Sequence, residues 1–288
     1  MTRHRYGYVD THGGQMHYAE EGTGDPAILI HHSPASSVMF AKMIPILAER
    51  YHVVAPDLPG YGNSTRLPGF ELSEVTAVLR EFIEEVGAPR AKIFGVHTGS
   101  VVAAELTRRC PDLVDSLVLA GFPYLTARER DERLRVIDEQ SRGLPGTLPI
   151  VVPREDGAHF VARWHEAYRE LWWGQNRMPS TTISDEEFEF ADRTAIASLI
   201  AWRTTPEALR AVYSYDSERL LPSIPVPTLV MHATGAFEGE HLKRSEAVAE
   251  LIPGARIATV DGDDKYFPYW RAQDVCSIVA EFWDSARQ

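Results

Sequence analysis

Residues 92–105 pair a group able to move protons with a backbone built to expose it: Lys92-Ile93-Phe94-Gly95-Val96-His97-Thr98-Gly99-Ser100-Val101-Val102-Ala103-Ala104-Glu105. The segment begins as an apolar strand, turns at Gly95 and Gly99, and continues as an amphipathic helix. This is the pattern of a nucleophile elbow: Gly, any residue, nucleophile, any residue, Gly. The central residue of an elbow sits on a strained turn. Side chains two positions before and after it would collide with the adjoining strand and helix. The tip is His97, where Ser, Cys or Asp would serve as a nucleophile. Imidazole exchanges its proton near neutral pH, so the chemistry on offer is acid–base.

Other titratable groups stand where they could reach such a tip. His31-His32-Ser33-Pro34 closes the apolar run Pro26-Ala27-Ile28-Leu29-Ile30, and Gly262-Asp263-Asp264-Lys265 follows the last apolar strand. A cation at Lys265 would lower the proton affinity of a neighbouring imidazole. Asp263 and Asp264 read as solvated loop carboxylates, either of which could pair with His97 or Lys265. Tyr124, Trp164, Trp172, Trp173 and Trp202 carry flat apolar bodies that suit a pocket wall as well as a helix core. Tyr124 and Tyr266 read as packing aromatics before they read as acids. Asp57, in Pro56-Asp57-Leu58-Pro59-Gly60-Tyr61-Gly62-Asn63-Ser64, reads as a turn residue.

Alternating strands and helices must position these groups. Tyr6 to Asp10 and Gln15 to Glu20 predict a hairpin around Gly13-Gly14. A helix is expected from about Val38 to Glu49, strands at Pro26–Ile30, His52–Ala55 and Ser116–Ala120, and a helix over Ser73–Val86. Apolar strands alternating with helices indicate a parallel sheet covered on both faces. From about Tyr124 to Leu221 strand signals stop and helical segments rich in Trp, Arg and Glu take over. Ser184 with Glu187 predicts a capping box, and Thr205-Pro206-Glu207 an N-cap with proline in the first turn. A strand over Thr228–His232, a helix over Glu240–Ile252, a strand over Ala255–Val260 and a helix over Gln273–Ala286 complete the pattern.

Composition narrows the function classes. The 288 residues are 44% hydrophobic and 24% charged, the balance of a soluble globular chain with a sizeable core. A formal charge of −12 argues against nucleic acid and anionic membrane surfaces as partners, since both select a basic face. There is no apolar run long enough to span a bilayer and no signal peptide is visible, so a cytoplasmic location is expected. Cys110 and Cys276 lack metal-ligand spacing and read as buried free thiols. His31-His32 is adjacent rather than four apart, which argues against zinc, and neither metal nor cofactor is expected.

Four motifs, in order and with matching spacing, resemble the α/β-hydrolase superfamily over nearly the whole chain. His31-His32-Ser33-Pro34 resembles the family's His-Gly-x-Pro oxyanion loop, and Asp57 to Ser64 the loop after its fourth strand. Gly95 to Ser100 resembles the elbow, and Ile224-Pro225-Val226-Pro227-Thr228-Leu229-Val230-Met231-His232 the lead-in to the strand that carries the acid. The resemblance implies an α/β-hydrolase fold: a mostly parallel sheet with helices on both faces. It implies a core at 1–123 and 222–288 with a helical cap at 124–221 inserted in it. On the family's pattern the nucleophile position is His97, the acid position Ala236 (with Ala233 on the preceding Gly), and the general-base position Lys265. None of these three supplies its usual function. The oxyanion-hole donors fall on the backbone N–H groups of Ser33 and Thr98, and His31 takes the place of the histidine that orders the loop.

Two readings follow. In one, His97 moves a proton on a small, apolar or aromatic carbonyl compound while Ser33 and Thr98 hold the developing oxyanion and Lys265 adds positive charge. His32, Tyr124, Trp164, Trp172, Trp173 and Asp264 would line the substrate pocket, and the reaction would be that of a lyase, isomerase, decarboxylase or unusual hydrolase. In the other, the chain is a catalytically inactive pseudo-hydrolase that binds a ligand. A small molecule is the expected partner in both, and a homodimer is compatible with both.

Overall fold

The computed structural model describes residues 4–144, 150–174, 184–235, 239–262 and 266–286. The chain opens with the hairpin β1 (Arg5–Thr11) and β2 (Gly14–Glu21), followed by β3 (Asp25–Ile30), α1 (Met43–Leu47), β4 (Tyr51–Pro56) and α2 (Leu72–Glu85). Next come β5 (Ala91–Val96), α3 (Thr98–Arg109) and β6 (Val114–Ala120). Among the described residues, five α-helices lie between β6 and the next strand: α4 (Ala127–Ser141), α5 (Ala158–Gly174), α6 (Asp185–Ile200), α7 (Thr204–Tyr213) and α8 (Ser217–Leu220). The chain closes with β7 (Thr228–Ala233), α9 (Gly239–Leu251), β8 (Arg256–Val260), α10 (Phe267–Trp270) and α11 (Ala272–Ser285).

The strands form one eight-stranded sheet in the order β1-β2-β4-β3-β5-β6-β7-β8. β1, β2 and β4 pair antiparallel, and every pair from β4–β3 to β7–β8 is parallel. This is the α/β-hydrolase fold. Side chains alternate across the inner strands, so the sheet carries a core on each face. Ile28, Ile30 and Ile93 pack with Val75, Leu79 and Phe82 of α2 and with Val101 and Leu106 of α3. Ala27, Leu29, Phe94 and Val96 pack on the other face with Ile44 and Leu47 of α1 and with Val275, Val279 and Trp283 of α11. Burying side chains of this size stabilises by about 1.5–3 kcal/mol each, which fixes the strand ends that carry the site.

Local chemistry explains several boundaries and corrects others. The expected helix from Val38 to Glu49 is split into a 3-10 turn at Ser37–Phe40 and the short α1. Pro45 has no N–H to donate to the carbonyl of Ala41, so one continuous helix cannot form there. The capping box at Ser184 is present: its hydroxyl accepts from the Glu187 N–H at 3.3 Å, and Glu187 accepts from the Ser184 N–H at 2.8 Å. Thr126 and Glu129 make a second box, at the start of α4. Thr205 is not an N-cap. The helix α7 starts at Thr204 after Arg203, which leaves Pro206 within its first turn, where a missing N–H is tolerated. Both thiols are free, with Cys276 buried and Cys110 only half-buried, more open than the sequence suggested. No helix among the described residues is long and apolar enough to cross a membrane.

Candidate active site

Strand register brings the candidate groups to one edge of the sheet. Ile30 lies opposite Gly95, Val96 opposite Ala120, Ala120 opposite Met231, and Ala233 opposite Val260. The residues that follow β3, β5, β6 and β7 therefore emerge together at the carboxyl ends of the parallel strands, where open α/β sheets bind ligands. Backbone bonds stitch this edge. His97 N–H donates to Ala120 O at 2.9 Å, Gly121 N–H to Met231 O at 2.8 Å, and Thr234 N–H to Val260 O at 2.9 Å.

His97 occupies the tip of the elbow with φ 46° and ψ −111°, a conformation rare for a residue with a side chain. From residue 91 to residue 107 every side chain is buried except this one, which is half-buried. The glycines behave as steric reasoning requires. A Cβ on Gly95 would stand 2.4 Å from Gly99 O, and one on Gly99 would stand 2.1 Å from Ile30 O. The imidazole lies against Gly121, whose hypothetical Cβ would meet the ring's Cε1 at 2.8 Å. Ser100, just inside α3, donates its hydroxyl to His97 O at 2.6 Å and so ties down the turn from within.

The loop after β3 faces this tip. His31 is fully buried and its tautomer is fixed by its two bonds: Nδ1–H donates to His32 O at 2.8 Å, and Nε2 accepts from Leu58 N–H at 2.9 Å. Burial pulls its pKa below the usual imidazole value, against the opposing charge of Asp57 and the bond to His32. His32 donates from Nδ1 to Ser33 O at 2.9 Å. Its ring meets that of His97 edge to face, with centroids 5.9 Å apart, and lies 5.1 Å from the ring of Tyr266. Ser33 Oγ accepts from the buried Tyr61 hydroxyl at 2.7 Å. Burial pushes the Tyr61 phenol well up, so it stays protonated and able to donate.

Ser33 and Thr98 each follow in the chain one of the two histidines whose rings meet here, His32 and His97. Thr98 is the first residue of α3, at the positive end of the helix dipole. Neither amide donates in any loop, turn or cap bond among the described residues. Backbone N–H groups left without a donor bond in the fold are able to hold a negatively polarised oxygen.

Asp57 does more than shape a turn. Its buried carboxylate accepts from Ser37 N–H at 2.7 Å, from Asn63 N–H at 3.0 Å and from His17 Nδ1 at 2.8 Å, so it ties the loop after β4 to β2 and to the segment after residues 31–34. Burial alone would raise its pKa. The His17 bond, the nearby His31 and the two amides outweigh burial and hold it below the usual carboxylate value.

The structure brings the ring of His32 against that of His97, with Ser33 and Thr98 next to them in the chain. Tyr124 donates to Glu218 of α8 at 2.9 Å, and its carbonyl accepts from Arg244 of α9 at 3.0 Å, which turns it toward α8 and α9. The bond to Glu218 and then burial raise its pKa. Trp164 is half-buried on α5, and Trp172 and Trp173 lie on the last turns of that helix with side chains outside the described residues. Lys265, Asp263, Asp264 and Ala236 fall outside the described residues. Sequence reasoning missed Tyr61 and Gly121. A signal existed for Gly121, since a glycine ending an apolar strand of a parallel sheet leaves room for whatever the neighbouring strand presents.

A small cavity of about 20 Å³, room for roughly one water, lies between Ser36 and Met39 on one side and Phe190, Arg193 and Thr194 of α6 on the other, with Tyr266 at its wall.

Comparison with known proteins bears on this edge as a whole. A family model described as alpha/beta hydrolase fold matches residues 26–263. Haloalkane dehalogenase 2 of Mycobacterium tuberculosis is 33% identical over 116 residues, 40% of this chain and 41% of that protein. The chain thus spans about two-fifths of the length of that relative. The 2-hydroxy-6-oxo-6-(2'-aminophenyl)hexa-2,4-dienoic acid hydrolase of Metapseudomonas resinovorans is 29% identical over 231 residues, 78% of this chain and 72% of that protein. Among solved structures, an epoxide hydrolase from an endophytic Streptomyces superposes with a TM-score of 0.76 at 18% identity, covering 100% of this chain and 97% of that one.

Proposed function

The chain belongs to the α/β-hydrolase fold family, and from that premise we propose that it is an enzyme acting on a small, apolar or aromatic carbonyl compound by proton transfer at His97. The observation that carries the proposal is one half-buried imidazole at a strained elbow whose neighbours in the chain from 91 to 107 are all buried, with the ring of His32 against it. In this reading the substrate carbonyl oxygen accepts from the amides of Ser33 and Thr98. His97 takes a proton from the carbon next to that carbonyl, or from a water that attacks it, and returns it to the product. The amides hold the enolate or oxyanion in between. Lys265 and Asp264, which follow β8 in the sequence, would set the charge near the imidazole. The pocket wall would come from His32 and from the aromatic residues of the helices between β6 and β7, which form a cap over the core. The names of the relatives, which denote hydrolases of small organic molecules, support this substrate size.

A second reading keeps the pocket and drops the chemistry. It rests on the tip itself, which holds no Ser, Cys or Asp. Exchange of the α-protons of acetophenone in D₂O, followed by proton NMR, separates the two. Proton transfer at His97 predicts exchange above the buffer rate, lowered roughly 10²–10⁴-fold in both His97→Ala and His97→Gln. Gln can hydrogen-bond but cannot titrate, so full exchange in His97→Gln would remove the imidazole from the chemistry. Binding of the ketone without exchange in the wild type would establish the non-catalytic reading.

A further inference from the structure

The first turn of α7 bears on the loop that follows β4. A Cβ on Gly60 would stand 2.3 Å from Thr204 Oγ1, so the helix rests directly on the Gly60 backbone. Glu207 Oε1 accepts from Arg66 Nη2 at 2.6 Å. A third contact pairs Thr205 with Tyr61, both of them buried. Burial pushes the pKa of the Tyr61 phenol up, and the hydroxyls of Ser33 and Thr205 pull against that rise. Two hydroxyls, one from the loop at 31–34 and one from α7, therefore stand by the same phenolic oxygen.

Tyr61 has a single hydrogen to give. It goes to Ser33 Oγ, at 2.7 Å. The Thr205 hydroxyl is left buried without a hydrogen bond of ordinary geometry. A buried hydroxyl in that state is unfavourable, and it marks a fold that gives the phenol's hydrogen to Ser33 rather than to α7. Counting hydrogens shows what this achieves. An Oγ that accepts from the phenol keeps its own hydrogen, and the Ser33 hydroxyl donates to no group among the described residues. With the phenol turned to Thr205 instead, Ser33 would direct its hydrogen at the phenolic oxygen. The hydrogen on Tyr61 thus decides whether Ser33 has one to offer a ligand.

We propose that Tyr61 is a positioning residue that keeps the Ser33 hydroxyl as a side-chain donor to the carbonyl oxygen of the bound compound, and that α7, through Thr205, competes for the same phenol. The inference rests on the reading above that residues 31–34 border the substrate. It adds the Ser33 hydroxyl to the Ser33 amide as a donor, and it makes that hydroxyl depend on how α7 sits on Gly60 and Tyr61.

Acetophenone labelled with carbon-13 at the carbonyl is the probe, because this resonance moves downfield as the oxygen accepts hydrogen bonds. The bound ketone should resonate downfield of the free one. Ser33→Ala removes one oxygen. It should move the bound resonance back upfield and weaken binding about threefold to tenfold, the usual effect of one neutral hydrogen bond. Tyr61→Phe leaves the Ser33 hydroxyl but frees it to rotate, and should move the resonance upfield by less. Thr205→Val keeps the shape of α7 and removes the competitor, so the resonance should stay or move further downfield, with affinity no weaker than wild type. If Tyr61→Phe does not fold, Ser33→Ala and Thr205→Val decide. An unchanged bound resonance in Ser33→Ala or in folded Tyr61→Phe, or an upfield move in Thr205→Val, overturns this inference and leaves proton exchange at His97 untouched. A Ser33-dependent shift without α-proton exchange in the wild type leaves the inference standing and removes the catalytic reading. No saturable binding at about 10 mM overturns both.

Discussion

The imidazole of His97 rests where the side chain of residue 121 would be, with Gly121 Cα bare beneath it and a hypothetical Cβ 2.8 Å from the ring's Cε1. The ring's position thus depends on the residue that follows a different strand, β6. Gly121 also has φ +57°, a conformation that costs an L-residue about 1–2 kcal/mol. Gly121→Ala should therefore lower unfolding free energy by roughly 1–3 kcal/mol in urea titrations, through strain together with the displaced ring. It should also shift the ring resonances of His97 in NMR spectra. Unmoved His97 signals would show that the ring does not depend on this contact.

His31 predicts a pH effect in a defined window. Its folded pKa is depressed, chiefly by burial, so above the unfolded value of about 6.5 the neutral ring is favoured in both states and its contribution is fully present. As pH falls below that value the unfolded chain takes up the proton first, and stability declines until the folded pKa is reached. Both ring nitrogens are engaged with backbone, so protonating Nε2 would set an N–H against that of Leu58. Urea unfolding of the wild type should weaken as pH falls below about 6.5, and His31→Gln should flatten that part of the curve.

A second window belongs to Asp57. Its folded pKa lies below the unfolded value near 4, so its contribution is complete above that pH and is lost as pH falls through the folded pKa. Asp57→Asn cannot accept in the same way from His17, Ser37 and Asn63. It should cost roughly 1–3 kcal/mol at neutral pH and remove part of the acid-side decline below about pH 4. Equal slopes in wild type and variant below that pH would mean that other carboxylates carry the transition. The neighbouring Gly62 offers an independent check: a Cβ there would stand 2.1 Å from Asp57 Oδ2, so Gly62→Ala should destabilise through the same carboxylate.

The sheet was legible because burial on both faces leaves no polar phase in β3, β5, β6 and β7, and each of these runs reads as a strand without reference to its neighbours. The elbow was legible for a different reason: Gly95 and Gly99 meet backbone atoms, and backbone does not depend on which side chains surround it. The split at α1 was written in Pro45, but the apolar spacing of Phe40, Ile44 and Leu47 masked it. The bond from Tyr61 to Ser33 could not be read. It joins residues 28 apart, and only the pairing of β3 with β4 makes them neighbours. Asp57 was seen as a turn residue because a local signal explains a local role, whereas its partners His17 and Ser37 lie 40 and 20 residues away.

The amides of Ser33 and Thr98 can be tested apart from any natural substrate. Wild type should resist fluorophosphonate probes, because the tip has no hydroxyl or thiol. Ser100 is fully buried with its hydroxyl spent on His97 O, and Ser33 Oγ is held by Tyr61. His97→Ser places an oxygen at the strained tip without adding a base. An oxyanion hole alone retains roughly 10³–10⁴-fold acceleration over water in serine hydrolases stripped of their catalytic side chains, so slow labelling of the new serine is expected. His97→Ala should stay unlabelled, and intact-mass spectrometry of the two variants side by side reads the difference. Labelling of His97→Ser at the site of substitution would show that the two N–H groups stabilise charge beside the tip. Its absence in a folded variant would mean that the Ser33 and Thr98 amides do not converge on that point. Labelling of the wild type at Ser33 or Ser100 would move the nucleophile away from the elbow tip altogether.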